Sequence, residues 1–325
     1  MTFREYIKQL DDRVQARVGS EIVGGERVIR LSVIALLVGG HILIDDVPGT
    51  GKTTFAKALA SSLSLEMRRL QCTPDLLPSD VTGVNYFDMK SSEFRFVPGP
   101  AFTNLLLADE INRAMPKTQA GLLECMEEHQ ITVEGMTYRL REPFMVIATQ
   151  NPVETRGTYE LPEAQLDRFL FRCSMGYPST DDNLEILHRK FGGVPRNIPS
   201  ATEPVTAEEL AQARAEIDQI FIHPDLMAYA TAIGEATRHE AEVELGASPR
   251  AIVHLLMAAR GFAATAGRDY VLPDDIKEAA IPALAHRLVM KNDFYRTRGH
   301  DEEAVRRVLD QISVPTEAID FYRHS

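Results

Sequence analysis

Short runs of apolar residues, separated by polar or glycine-rich turns, recur through the first half of the chain. They predict buried strands at residues 42–44, 102–108, 144–149 and 170–174, with the mixed segment 66–71 as a further strand. Apolar positions with helical spacing predict helices at residues 3–18, 26–38, 55–63 and 116–128. Strands and helices therefore alternate through this half of the chain.

Two shorter alternating patterns predict β-hairpins. The first hairpin combines residues 83–89 and 94–98 around a polar turn, beside a helix that starts near Leu76. The second covers residues 130–140, with Glu134 in its turn. Because the turn of the first hairpin is polar, we expect its tip to project from the body of the protein.

The second half of the chain has helical patterns. These predict helices near residues 180–191, 207–220, 224–238, 249–266, 273–289 and 300–312. Thr206 with Glu209 forms a capping-box pair, and Ser248 before Pro249 is typical of a helix start.

The change of pattern predicts two domains, residues 1–178 and 179–325, with the boundary at residues 177–179. The proline-containing stretch at 192–206 predicts a linker within the helical part. Residues 313–325 predict a loose tail or a strap to another subunit.

Composition is that of an ordinary globular chain. The length of 325 residues is enough for two domains. The proportions of 44% hydrophobic and 25% charged residues argue against disorder. The net charge is −12 and there is no run of Lys and Arg, so a basic surface for gripping a nucleic-acid backbone is missing. This balance argues against a nucleic-acid motor, although a ring can contain a local basic channel.

The cysteines, the N-terminus and the apolar runs bear on the cellular compartment. Cys72, Cys125 and Cys173 are odd in number and lack metal-ligand spacing, so we expect reduced core residues. The charged N-terminus has no signal-peptide pattern, and the most apolar stretch, 31–44, is too short to span a bilayer. We therefore expect a cytoplasmic protein without a membrane anchor.

The run at 42–44 leads into the glycine-rich segment DVPGTGKTT and then into a predicted helix. This order is typical of a phosphate-binding loop, in which consecutive N–H groups and a helix N-terminus bind one phosphate. The candidate residues are Pro48, Gly49, Thr50, Gly51, Lys52, Thr53 and Thr54. Lys52 would reach the β- and γ-phosphates, and the Thr53 hydroxyl would ligate Mg²⁺. Asp46 stands where the general pattern has its first glycine. The alternative to a phosphate-binding loop is a glycine-rich turn before an ordinary helix.

Polar residues follow two other predicted strands. Asp109 and Glu110 come after the run at 102–108, where Asp109 would hold Mg²⁺ through water and Glu110 would activate the attacking water. Asn151 follows the run at 144–149 and could hold the lytic water or sense the γ-phosphate. The alternatives are a solvated strand end for the two acids and a cap of the Pro152 turn for Asn151.

Two further candidates lie outside the strand ends. Val23 and Gly24 form a short element that could pack against an adenine ring, or could be a simple loop between helices. Arg250 lies in the first turn of a predicted helix, where a cation opposes the helix dipole unless an anion such as a γ-phosphate is near. A surface pair with Glu244 is the alternative for Arg250.

Taken together, these stretches resemble the MoxR-type AAA+ ATPases. The matching segments, spread from Glu21 to Ala251, are EIVGGERVIRLSVIALLVGGHILIDDVPGTGKT, QCTPDLLPSDVTG, LLLADEINRAMPKTQAGLLECMEE, VIATQNPVETRGTYELPEAQLDRF and GASPRA. The resemblance implies an AAA+ α/β core with five parallel strands, flanking helices and β-hairpin inserts, followed by an all-α lid domain. The family also lacks the first glycine of the strict loop pattern.

The resemblance also implies roles for particular residues, with ATP or ADP and Mg²⁺ as cofactors. Lys52 and Thr53 match Walker A, Asp109 and Glu110 match Walker B, and Asn151 matches sensor 1. Two arginines match further catalytic positions, namely Arg168 the arginine finger and Arg250 sensor 2. An intrachain pair with Asp167 or Glu163 is the alternative for Arg168.

An arginine finger needs a neighbouring subunit, so the resemblance implies a homo-oligomeric ring, usually a hexamer. It further implies an ATPase that remodels, matures or loads a metal or cofactor into a client protein, often with a von Willebrand factor A domain partner. The alternatives are a nucleic-acid-associated motor and a nucleotide-bound scaffold with slow turnover. The sequence does not name the client.

Overall fold

The computed structural model describes residues 3–47, 49–151, 157–192, 203–291 and 299–315. The chain divides into two compact units, residues 9–212 and residues 213–325 together with 1–8. The bounds in chain order are α1 (Phe3–Glu21), α2 (Glu26–Val38), β1 (Ile42–Asp45), α3 (Lys52–Ser62), β2 (Met67–Gln71), α4 (Pro78–Thr82), β3 (Gly83–Asp88), β4 (Glu93–Pro98), β5 (Leu105–Asp109), α5 (Pro116–Glu128), β6 (Gln130–Val133), β7 (Met136–Arg139), β8 (Met145–Gln150), α6 (Glu163–Leu166), β9 (Phe171–Cys173), α7 (Thr180–Phe191), α8 (Ala207–Ile217), α9 (Pro224–His239), β10 (Val243–Leu245), α10 (Pro249–Thr265), α11 (Pro273–Leu284), β11 (Val289–Met290) and α12 (His300–Gln311).

The unit of residues 9–212 is built on a five-stranded sheet in the order β2-β5-β8-β1-β9. All four pairings are parallel. The central strands β5 and β8 carry apolar side chains on both faces, such as Leu106 and Ile147, and these are fully buried. The parallel arrangement places the carboxyl ends of the five strands at one edge of the sheet, where ligands of such sheets bind.

Two antiparallel hairpins, β3–β4 and β6–β7, extend this unit. Their side chains contact each other, because the Phe96 ring stacks on the Tyr138 ring at 4.3 Å between centroids and Asn85 Nδ2 donates to Glu134 Oε2 at 2.8 Å. Phe87 and Phe94 pack edge to face near the other end of the first hairpin, and both are exposed. The two hairpins predicted from alternation are thus present and joined.

The unit of residues 213–325 with 1–8 is mainly helical, and α10 packs along α11. Ser248 accepts a hydrogen bond from the Ala251 N–H, which caps α10 as its sequence predicts. This unit also contains a short antiparallel pair, β10 with β11. The five-stranded parallel sheet, the hairpin inserts and the helical lid confirm the predicted fold class.

Some predicted bounds differ from the structure. The strand predicted at 102–108 is shifted to Leu105–Asp109, because Phe102 packs instead against Phe96 and Tyr138 of the hairpins. The helix predicted at 273–289 ends at Leu284, because residues 289–290 pair with β10. Both differences come from contacts between residues far apart in sequence.

The predicted domain boundary at residue 178 stays a prediction, and the compact units divide later along the chain. Arg13 on α1 explains part of this difference, since its guanidinium binds the Glu209 carboxylate at 2.7 Å and the Pro204 carbonyl at 2.9 Å. The Val205 N–H also donates to the Ser62 carbonyl. Residues 193–202 of the predicted linker and 316–325 of the predicted tail lie outside the described residues.

Two further sequence expectations concern the cysteines and a membrane-spanning helix. Cys72, Cys125 and Cys173 are free. The first two are buried and Cys173 is half-buried, and burial raises the pKa of each thiol to about 12, so they have the chemistry of inert thiols. Within the described ranges, no helix combines the length and apolar character needed to cross a membrane.

Candidate functional site

The turn between β1 and α3 has the conformation expected of a phosphate-binding loop. Gly49 and Gly51 have φ values of 90° and 86°, a left-handed region that side chains other than glycine rarely adopt. Apart from the glycine itself and its two chain neighbours, no described heavy atom lies within 4 Å of a Cβ built on either glycine. The loop therefore faces open space that could hold a phosphate, and Pro48 lies outside the described residues.

Lys52 begins α3 and is buried, with its ammonium group held over the loop. Its Nζ donates to the Asp46 carbonyl at 3.0 Å and to the Val47 carbonyl at 3.4 Å. Thr50 Oγ1 donates to the same Val47 carbonyl at 3.3 Å. Thr53 is half-buried in the first turn of α3 and Thr54 is exposed. A lysine fixed beside several loop N–H groups can bind an anion such as a phosphate.

Asp109 ends β5 with its carboxylate bound on both oxygens. Thr149 Oγ1 donates to Oδ1 at 2.6 Å, and Arg69 Nη2 donates to Oδ2 at 2.6 Å. Asp109 is buried, whereas the Arg69 side chain is 46% exposed. The two donors fix the carboxylate at the end of its strand.

Glu110 follows with a left-handed backbone, φ 58° and ψ 51°, which is uncommon for a residue with a side chain and costs of order 1 kcal/mol. Its N–H donates to Thr149 Oγ1 at 2.9 Å. Gln71 Nε2 donates to its Oε2 at 3.1 Å, and Arg113 Nε lies 3.2 Å from the same oxygen. The turned backbone directs the Glu110 carboxylate away from the strand, where Gln71 and Arg113 hold it.

Asn151 follows β8 and is buried, and its carbonyl accepts a hydrogen bond from Asn112 Nδ2 at 3.3 Å. The neighbouring Gln150 carbonyl accepts the Asp46 N–H at 3.2 Å, which ties the end of β8 to the phosphate loop. The predicted residues at the ends of β1, β5 and β8 therefore meet at one edge of the sheet. Residues 152–156, which include the predicted Pro152 turn, lie outside the described residues.

The predicted adenine element is a turn between α1 and α2. Val23 is half-buried, and Gly24 and Gly25 have φ values of 74° and 78°. A Cβ built on Gly24 would lie 3.5 Å from the Asp182 carboxylate, so this turn approaches the start of α7. The choice between an adenine contact and a simple loop stays open.

The two predicted catalytic arginines lie in different units. Arg168 follows α6, and its Nε lies 3.1 Å from Glu127 Oε2 on α5, with both side chains partly exposed. An ion pair within the chain was an alternative for Arg168, although Glu127 is not one of the two acids named for it. Arg250 is exposed at the second residue of α10, and its pairing with Glu244 stays open.

Sequence reasoning missed several side-chain contacts in the site. They are Arg69 and Thr149 on Asp109, Gln71 and Arg113 on Glu110, and Ser174 and Met175 on the Asp46 carboxylate. Arg69 and Gln71 carried a weak signal, since they are polar and two residues apart at the end of a predicted strand. Thr149 is the single hydroxyl in the run FMVIAT. Their partners, however, depend on which strands are neighbours.

The donor set fits Mg²⁺. Among the described residues no group of three or more His, Cys, Asp and Glu side chains could hold a metal by itself. Mg²⁺ in nucleotide sites needs only one or two protein oxygens besides the phosphates and waters. The Asp109 carboxylate and the Thr53 hydroxyl are hard oxygen ligands of that kind.

Comparisons with known proteins identify the family of the chain. Residues 41–171 match the family described as "ATPase family associated with various cellular activities (AAA)", and residues 235–308 match the AAA lid domain. The protein YeaC of Bacillus subtilis is 43% identical over 319 residues, or 98% of each chain. Chaperone MoxR1 of Mycobacterium tuberculosis is 38% identical over 303 residues, which cover 90% of this chain and 79% of its own.

A solved structure of a candidate ATPase from Cytophaga hutchinsonii has the same fold. It is 36% identical, superposes with a TM-score of 0.87, and the match covers 96% of this chain and 97% of the other. The two family matches cover the sheet-bearing part and the helical part of the chain, and these relatives match over most of their own length. The chain belongs to the MoxR family of AAA+ ATPases.

Proposed function

We propose that the chain hydrolyses ATP with Mg²⁺ at the edge of the sheet where β1, β5 and β8 end. The observation that carries this proposal is the pair Asp109 and Glu110, fixed by Thr149 at the end of β5. Lys52 and the N–H groups of residues 49–54 bind the phosphates, and Val23 and Gly24 contact the adenine. Asp109 through water and the Thr53 hydroxyl hold Mg²⁺, which supplies positive charge to the phosphates.

Glu110 accepts the proton of the attacking water in this mechanism. Its carboxylate is partly exposed and carries a hydrogen bond from Gln71, so it is positioned but not enclosed. Asn151 at the end of β8 orients the water or contacts the γ-phosphate. A general base of this kind contributes about 10²- to 10⁴-fold to a rate.

Arg168 and Arg250 complete the site in this proposal. Arg168 acts on the γ-phosphate of a neighbouring subunit, and its partly exposed ion pair with Glu127 is of a kind that costs little to exchange for a phosphate. Arg250, at a helix N-terminus, binds the γ-phosphate of its own subunit. Because each site then needs residues from two subunits, we propose that the subunits form a ring, usually a hexamer.

ATP hydrolysis is coupled, in this proposal, to remodelling of a client protein. The joined hairpins β3–β4 and β6–β7 carry the motion to the client, and a partner with a von Willebrand factor A domain works with the ring. The name of the relative Chaperone MoxR1 supports remodelling of a client. Maturation of the client, or its loading with a metal or cofactor, is the specific form of remodelling that we propose. The expected cytoplasmic location stays a prediction.

Mixing two inactive variants tests whether Arg168 of one subunit completes the nucleotide site of its neighbour. Arg168→Ala retains a complete cis site and lacks the finger, whereas Glu110→Gln retains the finger and lacks the base. When the two are mixed, some interfaces combine an intact cis site with an intact finger, so the mixture should turn over ATP although neither variant does.

The matched control mixes Lys52→Ala with Glu110→Gln. Both changes lie in the same subunit's site, so no interface in this mixture is complete and turnover should stay absent. Activity in the control mixture, or its absence from the first mixture, would contradict an arginine supplied across the interface.

A further inference from the structure

We propose that Asp46 is a positioning residue that fastens the phosphate loop to the connector between β9 and α7, so that loop and connector respond to nucleotide together. The inference rests on the proposed nucleotide site. It assigns a role to the residue that replaces the first glycine of the general loop pattern. The connector consists here of residues 174–176.

The Asp46 carboxylate binds the connector through three donors. Met175 N–H donates to Oδ2 at 2.5 Å, Ser174 Oγ donates to Oδ1 at 2.7 Å, and Gly176 N–H lies 3.4 Å from Oδ1. Only 3% of Asp46 is exposed. Consecutive backbone N–H groups that converge on a carboxylate are a strong anion site, because both donors are fixed by the chain.

The main chain of Asp46 makes two further contacts at the phosphate loop. Its N–H donates to the Gln150 carbonyl at 3.2 Å, and its carbonyl accepts Lys52 Nζ at 3.0 Å. One residue therefore contacts the end of β8, the lysine of the loop and the connector. A shift of the connector would move the carbonyl that Lys52 binds.

The Asp46 carboxylate is directed toward the connector, where hydrogen-bond donors can compensate its negative charge. A buried negative charge beside a phosphate-binding loop would repel nucleotide unless it were compensated. The donors at Ser174, Met175 and Gly176 compensate it. If the connector contacts were broken, the uncompensated charge would oppose phosphate binding.

The connector also lies close to the predicted adenine turn. A Cβ built on Gly25 would lie 3.6 Å from Met175 Cε, and one built on Gly24 would lie 3.5 Å from Asp182 Oδ2. Asp182 and Ser179 cap the start of α7 by reciprocal hydrogen bonds. Asp46 thus binds the segment that leads into α7, and the predicted adenine turn lies close to the same segment.

The test compares ATP affinity of the full-length chain with Asp46→Gly, Asp46→Asn and Asp88→Asn by fluorescence titration with a labelled ATP. Asp46→Gly restores the glycine of the general pattern, yet it should weaken ATP binding by about tenfold or more, the equivalent of one charge-assisted contact. Asp46→Asn keeps one acceptor oxygen and should lie between Asp46→Gly and wild type. Asp88→Asn, which removes one charge from a hairpin, should bind like wild type.

Amide exchange without nucleotide separates positioning from general destabilisation. In both Asp46 variants, exchange should rise by about tenfold in the peptide that contains Met175 and Gly176, and should stay unchanged in β5 and β8. Wild-type ATP affinity for Asp46→Gly, exchange at Met175 and Gly176 like that of wild type, or a rise spread evenly over residues 9–212, would overturn the inference. If wild type itself fails to bind ATP, the proposed function fails, while the exchange result still decides whether Asp46 holds the connector.

Discussion

Thr149 joins the two acids of the site, because its hydroxyl donates to Asp109 Oδ1 at 2.6 Å and accepts the Glu110 N–H at 2.9 Å. Thr149 lies on β8 and the acids lie on and after β5, so the contact fixes two neighbouring strand ends. One hydroxyl thus sets both the direction of the Asp109 carboxylate and the turned backbone of Glu110.

Thr149→Val removes this hydroxyl without a large change of shape. The Glu110 N–H and one Asp109 oxygen lose their buried partner, and we expect a loss of about 1–3 kcal/mol in the free energy of unfolding together with reduced ATP turnover. Urea unfolding and steady-state turnover measure the two effects. Thr149→Ser retains the hydroxyl and is the matched control, and a valine variant as active and stable as the serine variant would contradict this role.

Arg69→Gln tests the pair between Arg69 and Asp109. Arg69 Nη2 occupies Asp109 Oδ2, which is an oxygen of the residue proposed to hold Mg²⁺ through water. Removing the cation should lower the Mg²⁺ concentration that gives half-maximal nucleotide binding by a few-fold, a modest effect because Arg69 is 46% exposed and screened by solvent.

The measurement is a Mg²⁺ titration of labelled-nucleotide binding at fixed nucleotide. Arg68→Gln changes the neighbouring cation, which pairs with Glu66 instead, and should behave like wild type. A higher Mg²⁺ requirement in Arg69→Gln would show that Arg69 assists the metal site instead of competing with Mg²⁺ for Asp109.

Asp11 makes stability depend on pH. Burial raises its pKa from 3.8 to about 6, against the lowering effects of the Gln15 hydrogen bond and of Arg30. The folded state therefore holds a proton that the unfolded state releases between those two values, and stability falls as pH rises through this window. Above it, the penalty amounts to about 3 kcal/mol, an order of magnitude taken from roughly two pKa units.

Asp11→Asn removes that penalty, so the variant should be more stable than wild type near neutral pH and equal to it at about pH 4. Urea midpoints at both pH values measure the difference. Asp12→Asn is the matched control. Asp12 is exposed on the same helix and makes only the smallest of the contributions to the raised pKa of Asp11, so its variant should change the pH dependence only slightly. An equal gain for Asp11→Asn at both pH values would contradict the assigned pKa.

Local patterns were sufficient for much of the fold. The helices Pro116–Glu128 and Thr180–Phe191 begin and end at the predicted residues, because their start signals and apolar spacing lie within the segment itself. β11 could not be predicted, since residues 289–290 become a strand only by pairing with β10. The same limit applies to Phe102, whose apolar side chain fills a hairpin interface instead of extending β5.

In the site too, some residues could be predicted from their neighbours in sequence, whereas contacts between residues far apart in sequence could not. The glycines and Lys52 are recognisable because they lie between an apolar run and a helical pattern, and Asp109 with Glu110 because they end an apolar run. The Asp46 carboxylate contacts residues 128 to 130 positions away, and Arg69 contacts Asp109 at a separation of 40. Such contacts follow from strand order, which spacing along the chain does not encode.

Steady-state ATP turnover of Glu110→Gln against wild type, with Mg²⁺ and with ATP binding measured on the same samples, tests the central claim most directly. Glutamine keeps the size of the side chain and loses the base, so turnover should fall by about 10²-fold or more while ATP affinity stays near that of wild type. Equal turnover in the two proteins would contradict a hydrolytic site built on Asp109 and Glu110.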